Sequence, residues 1–109
     1  DPRAAAGAFG FAVDNAIGGT PQPNAWADDW VEFFRERRLR PQLRLARDPR
    51  LDALAEPVLA RMGALFEGVE VRPALLHGDL WSGNYAACGG EPAVIDPAAY
   101  YGHAEAEFG

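Results

Sequence analysis

The chain has 109 residues, 49% of them apolar, which fits one soluble globular domain with a sizeable core. Its net charge is −6 and all ten positive charges are Arg, so it lacks the basic footprint that nucleic acid or an anionic membrane surface requires. The apolar runs fall far short of a membrane span and the first residues carry no charged-then-apolar leader, so a cytoplasmic setting is expected, with neither a membrane nor a nucleic-acid partner.

Ala4–Gly10 is rich in small residues and shows no period, although Phe9-Gly10-Phe11 suggests the tail of an ordered element. Asp14–Asn24 is dense in Asn, Gly, Pro and Thr and predicts a long loop, either a surface connector or a functional segment. Trp26, Trp30, Phe33, Phe34 and Arg37 recur at helical spacing and predict a helix over Ala25–Leu39. Asn24 or Asp28 would cap it, and Pro41 would bar continuation. Burying its rings, at about 150 to 250 Å² each, makes this helix a main core element. Leu51, Leu54, Val58, Leu59, Met62, Leu65 and Phe66 predict a second amphipathic helix, which Pro57 should kink or restart, and Gly68 ends the pattern.

Leu75-Leu76 leads directly into His77-Gly78-Asp79-Leu80-Trp81-Ser82-Gly83-Asn84, which reads as a short buried strand delivering a polar loop. Beyond it, Tyr85–Cys88 and Glu91–Ile95 flank Gly89-Gly90, a two-residue turn that tolerates positive φ at both positions. In that register Cys88 faces Glu91, Tyr85 faces Val94 and Asn84 faces Ile95, so Asn84 and Asp96 share one end of the hairpin. Paired and diagonal positions there are about 4.5 to 8 Å apart. Pro92 cannot donate to a ladder, so its strand is expected to be an edge or to start there. Cys88, alone and at a turn, reads as an incidental thiol and excludes an internal disulfide.

The order His77, Asp79, Asn84 repeats the H-R-D-x-x-x-x-N spacing of protein-kinase catalytic loops, and Asp96 falls where kinases carry the Asp of D-F-G. The blocks HGDLWSGN at 77–84, Ile95-Asp96-Pro97 and Tyr100-Tyr101-Gly102-His103 resemble the fructosamine (ketosamine) kinase family. That family is a branch of the aminoglycoside-phosphotransferase group with a protein-kinase-like fold. Asp14-Asn15-Ala16-Ile17-Gly18, Pro21-Gln22-Pro23-Asn24, Asp28-Asp29-Trp30 and Phe33–Leu39 resemble it in the same order, so the likeness spans most of the chain.

The resemblance implies a kinase using ATP and Mg²⁺ to phosphorylate the sugar hydroxyl of a small-molecule or protein-bound ketosamine, as in repair of glycated proteins. Asp79 would be the catalytic base, and Asn84 and Asp96 the metal and nucleotide-side ligands. Trp81 is a candidate acceptor platform or a core residue, and the 14–24 segment would line the acceptor site. His77 reads as structural support for the loop. His103, Glu105 and Glu107 read as the start of a helix, with Glu107 bracing the catalytic loop. Asp-Pro-Ala in place of Asp-Phe-Gly leaves no counterpart for a movable Phe switch.

Kinases of this group also need a Gly-rich phosphate loop and a Lys, and neither is present ahead of the motif. The expectation is therefore an α+β, protein-kinase-like architecture in which residues 1–109 are part of the carboxy-terminal lobe: mainly helical, with a short catalytic strand and a β-hairpin, and without the nucleotide lobe and later helices. The chain alone should be inactive. Another aminoglycoside- or choline-type kinase and a non-catalytic remnant are the competing readings.

Overall fold

The structure, a computed structural model, describes residues 1–108. Asp1 caps a single helical turn, Pro2–Ala5 (α1), by accepting from the Arg3 N–H at 2.8 Å. The chain then crosses the core. Phe9 exchanges backbone hydrogen bonds with Ala27 (2.8 and 2.9 Å), and Gly10 exchanges them with Tyr101 (3.0 and 2.8 Å). Gly10 has φ +135°, and a Cβ there would lie 2.6 Å from the Asn24 carbonyl oxygen, so only glycine lets these backbones meet.

The segment predicted as a loop contains a hairpin. Asn15–Ile17 (β1) pairs with Thr20–Gln22 (β2) around Gly18-Gly19, bringing Asn15 opposite Gln22. The aromatic helix starts at Trp30 rather than Ala25, because Asp29 is the cap, accepting from the Glu32 N–H at 2.7 Å. Neither predicted cap serves: Asp28 pairs with Arg3 at 2.9 Å, and Asn24 is wholly buried in a polar cluster.

Nor does Pro41 stop the helix. Trp30–Phe34 (α2) runs through a wider π turn, Arg35–Leu39, into Arg40–Ala46 (α3). The Arg40 N–H bonds the Arg35 carbonyl five residues back, re-phasing the ladder just ahead of the proline. The Arg37 carbonyl, which Pro41 could not serve in an α-helix, accepts from Arg38 Nη1 at 2.9 Å.

Pro49–Leu65 (α4) is likewise one helix across Pro57. Pro57 and Ala53, whose carbonyl it leaves unbonded, are both exposed, so water can take that oxygen. Only Leu59 and Met62 of this helix are buried, while Leu54 and Leu65 are 72% and 74% exposed. Its apolar face is therefore covered in part. Arg40, bonded to Glu36 at 3.2 Å and Glu56 at 3.0 Å, ties α4 to the preceding helix.

The central cluster is Phe9, Trp30, Phe33, Leu76 and Tyr100. The aromatic helix supplies two of these, with the Trp30 and Phe33 ring centroids 6.0 Å apart and Phe33 and Tyr100 at 5.6 Å. Leu76 and Tyr100 arrive from a second antiparallel pair, Ala74–Leu76 (β3) with Tyr100–Gly102 (β6), in which they are direct partners. Tyr85–Cys88 (β4) and Glu91–Val94 (β5) form the third pair in the predicted register, Tyr85 opposite Val94 and Cys88 opposite Glu91. With only two strands in that sheet, Pro92 is at an edge. Ala104–Phe108 is a 3₁₀ helix, tighter than the helix start predicted there. The architecture is α+β.

Candidate active site

Strand β3 anchors the site by burying Leu76 in the core, so the chain leaves the core at His77. Gly78 then takes φ +82°, and a Cβ at that position would run into the Ala98 carbonyl oxygen. Glycine at 78 thus lets the loop lie directly on the backbone that follows Asp96. Glu107, on the 3₁₀ helix, accepts the His77 N–H on Oε2 at 2.6 Å and the Gly78 N–H on Oε1 at 3.0 Å. One carboxylate thereby fixes two successive amides of the loop, and bonds to an ionised acceptor are the stronger kind.

The His77 ring bridges loop and hairpin. The Asp79 N–H donates to its Nδ1 at 3.3 Å, and its Nε2 lies 2.8 Å from the Ile95 carbonyl. A carbonyl only accepts, so Nε2 carries the proton and Nδ1 the lone pair: the neutral tautomer satisfies both contacts.

Asp79 and Asn84 are joined directly. Asn84 Nδ2 donates to the Asp79 carbonyl at 2.9 Å and to Asp79 Oδ2 at 3.2 Å. Asn84 is only 7% exposed and its amide nitrogen is committed, which leaves Oδ1 as the end available to a cation. The Asn84 N–H bonds the Trp81 carbonyl at 2.9 Å, and its carbonyl accepts from the Ile95 N–H at 2.9 Å, so the hairpin carries Asn84 and Asp96 at one end. Among the described residues, no hydrogen bond or ion pair engages the exposed Asp96 carboxylate. Asp96 also sits at φ +54°, in the left-handed region.

This donor set suits Mg²⁺. One carboxylate and one amide oxygen are a fitting protein share for a hard cation that keeps waters and takes its remaining ligands from substrate phosphates. Among the described residues no cluster of three or more His, Cys, Asp or Glu forms a metal cage.

Trp81 is 59% exposed and outside the core, its indole folded back so that a Cβ at Gly83 would strike it. His103 does not approach these groups: its Nδ1 accepts the Glu105 N–H at 3.0 Å and its ring packs on Trp30 and Phe66. Cys88 is exposed at the far end of the hairpin.

A buried polar cluster beneath the site was not singled out from sequence. The Arg38 guanidinium lies 4.0 Å from the Tyr100 ring centroid and 4.7 Å from that of Phe33. It donates to the Pro23 carbonyl at 2.6 Å and to Asn24 Oδ1 at 2.7 Å. Burial pushes the Arg38 pKa below its ordinary value and, despite the guanidinium, pushes that of Tyr100 up. Asn24 continues to Asn15 and Gln22 on the β1–β2 hairpin. The sequence signal was the pairing of Asn15 with Gln22 across Gly18-Gly19, obscured because the segment's composition reads as loop.

A strand-delivered His-Gly-Asp loop, an Asn five residues on and an Asp closing the next hairpin, on this α+β frame, define the class as protein-kinase-like. Comparisons with known proteins narrow the class. The family described as Fructosamine kinase matches residues 3–109, and the chain belongs to that family. It is 54% identical to protein-ribulosamine 3-kinase, chloroplastic, of Arabidopsis thaliana over 93% of its own length and 32% of the relative's. It is 41% identical to ketosamine-3-kinase of Mus musculus over 92% of its length and 34% of the relative's. A crystal structure described as a candidate fructosamine-3-kinase from Thermobifida fusca superposes with a TM-score of 0.79 at 39% identity, covering 94% of this chain and 38% of that one. The chain thus spans about a third of the length of the curated relatives it matches.

Proposed function

We propose that this chain is the catalytic-loop portion of an ATP-dependent kinase that phosphorylates a sugar hydroxyl of a ketosamine. The observation that carries the reading is the bond from the Asn84 amide to Asp79, at the end of the hairpin that also holds Asp96. In this reading Asp79 takes the proton of the acceptor hydroxyl as that oxygen attacks the γ-phosphorus and the bond to the ADP oxygen breaks. Asn84 Oδ1 and the Asp96 carboxylate would hold Mg²⁺, which when bound neutralises charge on the phosphates. Glu107 and His77 keep the loop in place, and the exposed Trp81 ring offers a stacking face to the acceptor. The cytoplasmic setting belongs to the same proposal, although the plant relatives are named chloroplastic.

A nucleotide cradle also requires the phosphate loop and Lys of a second lobe, so residues 1–109 alone should show no turnover. The test uses the protein encoded by the complete reading frame, supplied with ATP, Mg²⁺ and fructosyl-lysine, choline or an aminoglycoside. Transfer to fructosyl-lysine, lowered about 10² to 10⁴-fold by Asp79→Asn, is the expected result. Transfer confined to choline or the aminoglycoside would overturn the acceptor class, and turnover by the 109-residue chain would overturn the two-lobe requirement.

A further inference from the structure

Asp96 combines two features that conflict locally. Its φ is +54°, and the next residue is Pro97, whose ring favours an extended conformation for the residue before it. An Asp tolerates the left-handed region better than most residues, yet such a backbone persists only where its surroundings over-determine it. On the amino-terminal side, Ile95 is held through its N–H by the Asn84 carbonyl and through its carbonyl by His77.

The carboxy-terminal side is held from elsewhere in the fold. Gln22 Nε2 donates to the Ala98 carbonyl at 3.0 Å, and Asn15 Nδ2 donates to the Ala99 carbonyl at 2.9 Å. Both amides are locked in turn. Asn15 Oδ1 accepts from Gln22 Nε2 at 2.9 Å and from Asn24 Nδ2 at 3.0 Å, while Asn24 Oδ1 accepts from Arg38 Nη2 at 2.7 Å. Gln22 and Ala98 are almost wholly buried, so breaking the bond between them would leave polar atoms with no route to water.

We propose that Asn15 and Gln22 are positioning residues for Asp96. By gripping the second and third carbonyls beyond it, they stop the 96–97 turn from relaxing toward extended backbone and so fix where the Asp96 carboxylate points. Neither touches the reacting atoms. The inference rests on the reading of Asp96 as a metal ligand, and it gives the β1–β2 hairpin a function in metal affinity.

The experiment uses the protein from the complete reading frame carrying Asn15→Asp, Gln22→Met or Asp96→Asn, with Ile17→Ala as a control in the same hairpin. Asn15→Asp keeps the oxygen that Gln22 and Asn24 use and replaces the donor to Ala99 with a charged acceptor that repels that carbonyl. It therefore carries the test if Gln22→Met fails to fold. Mn²⁺ binding in the presence of a non-hydrolysable ATP analogue is titrated by the electron paramagnetic resonance signal of free Mn²⁺, beside melting temperature and acceptor KM. Both amide variants should weaken Mn²⁺ binding about tenfold, the scale of losing a residue that orients a ligand, with acceptor KM within about twofold of the parent. Excess metal should restore most of kcat.

If Asp96→Asn weakens Mn²⁺ binding but the amide variants only lower the melting temperature as Ile17→Ala does, Asn15 and Gln22 are structural pins and the inference is overturned alone. Unchanged Mn²⁺ binding in Asp96→Asn would overturn the metal-ligand reading and the inference with it.

Discussion

The Asn84 side chain bonds Asp79 twice from one nitrogen, at 2.9 Å to the backbone carbonyl and 3.2 Å to the carboxylate. The amide that leaves its oxygen for a cation therefore also aims the proposed base. Asn84→Ala should lower kcat and raise the Mg²⁺ requirement together, each by roughly 10²-fold or less. Initial rates across a Mg²⁺ series check this; a change in one parameter alone would separate the two roles.

Asp79→Asn and Asp96→Asn should fail differently. A base acts on the acceptor in the transition state, so Asp79→Asn should lose about 10² to 10⁴-fold in kcat with ATP-analogue binding retained. A metal ligand already holds phosphates in the ground state, so Asp96→Asn should weaken Mg·ATP binding and recover in part with high Mg²⁺ or with Mn²⁺. Metal rescue of the Asp79 variant, with the Asp96 variant left dead, would exchange the assignments.

Glu107→Ala leaves the His77 and Gly78 amides without their acceptor. With both groups partly buried, the expected loss is about 1 to 3 kcal/mol in urea unfolding. Glu107→Gln retains an oxygen for one amide and should lose less.

Gly78→Ala meets both a φ of +82° and the Ala98 carbonyl, which is backbone and cannot swing aside. A destabilisation of at least about 2 kcal/mol is expected, well above the small effect at a glycine with open space such as Gly63. Parallel melts of Gly78→Ala and Gly63→Ala make the comparison.

Tyr100 supplies the pH dependence. Burial raises its pKa in the folded protein, chiefly by disfavouring the phenolate. The unfolded chain therefore loses this proton first, so stability is intact below the ordinary tyrosine range near about pH 10 and declines as pH rises through and above it. Urea midpoints at pH 8 and at alkaline pH should diverge in the parent protein and diverge less in Tyr100→Phe.

The hairpin of β4 and β5 was legible in detail because Gly89-Gly90 closes it as a two-residue turn, and the register without a bulge, which the structure adopts, brings Asn84 and Asp96 to one end. The aromatic helix was legible as an element but not in its limits. The candidate caps Asn24 and Asp28 are both taken by tertiary partners, which leaves the cap to Asp29, and the Pro41 rule gives way to a five-residue hydrogen bond. Tyr100–Gly102 was legible as a motif and not as a strand, since its partner Ala74–Leu76 is distant in sequence. The amide cluster stayed hidden for a related reason: Asn and Gln mark loops by composition, and only the fold shows that these are buried and paired.

The π turn at Arg35–Leu39 has a consequence for length variation. In a regular α-helix, advancing about 100° per residue, positions five apart point about 140° away from each other. Here Phe33 and Arg38 meet, with the guanidinium 4.7 Å from the ring centroid. Deleting one residue from this turn would regularise the helix while rotating Arg38 away from Asn24, so a gap that looks harmless in an alignment would be felt through Asn15 at the backbone beyond Asp96. Relatives keeping the amide cluster should keep this helix's residue count between Phe33 and Pro41, whatever side chains they carry on its solvent face.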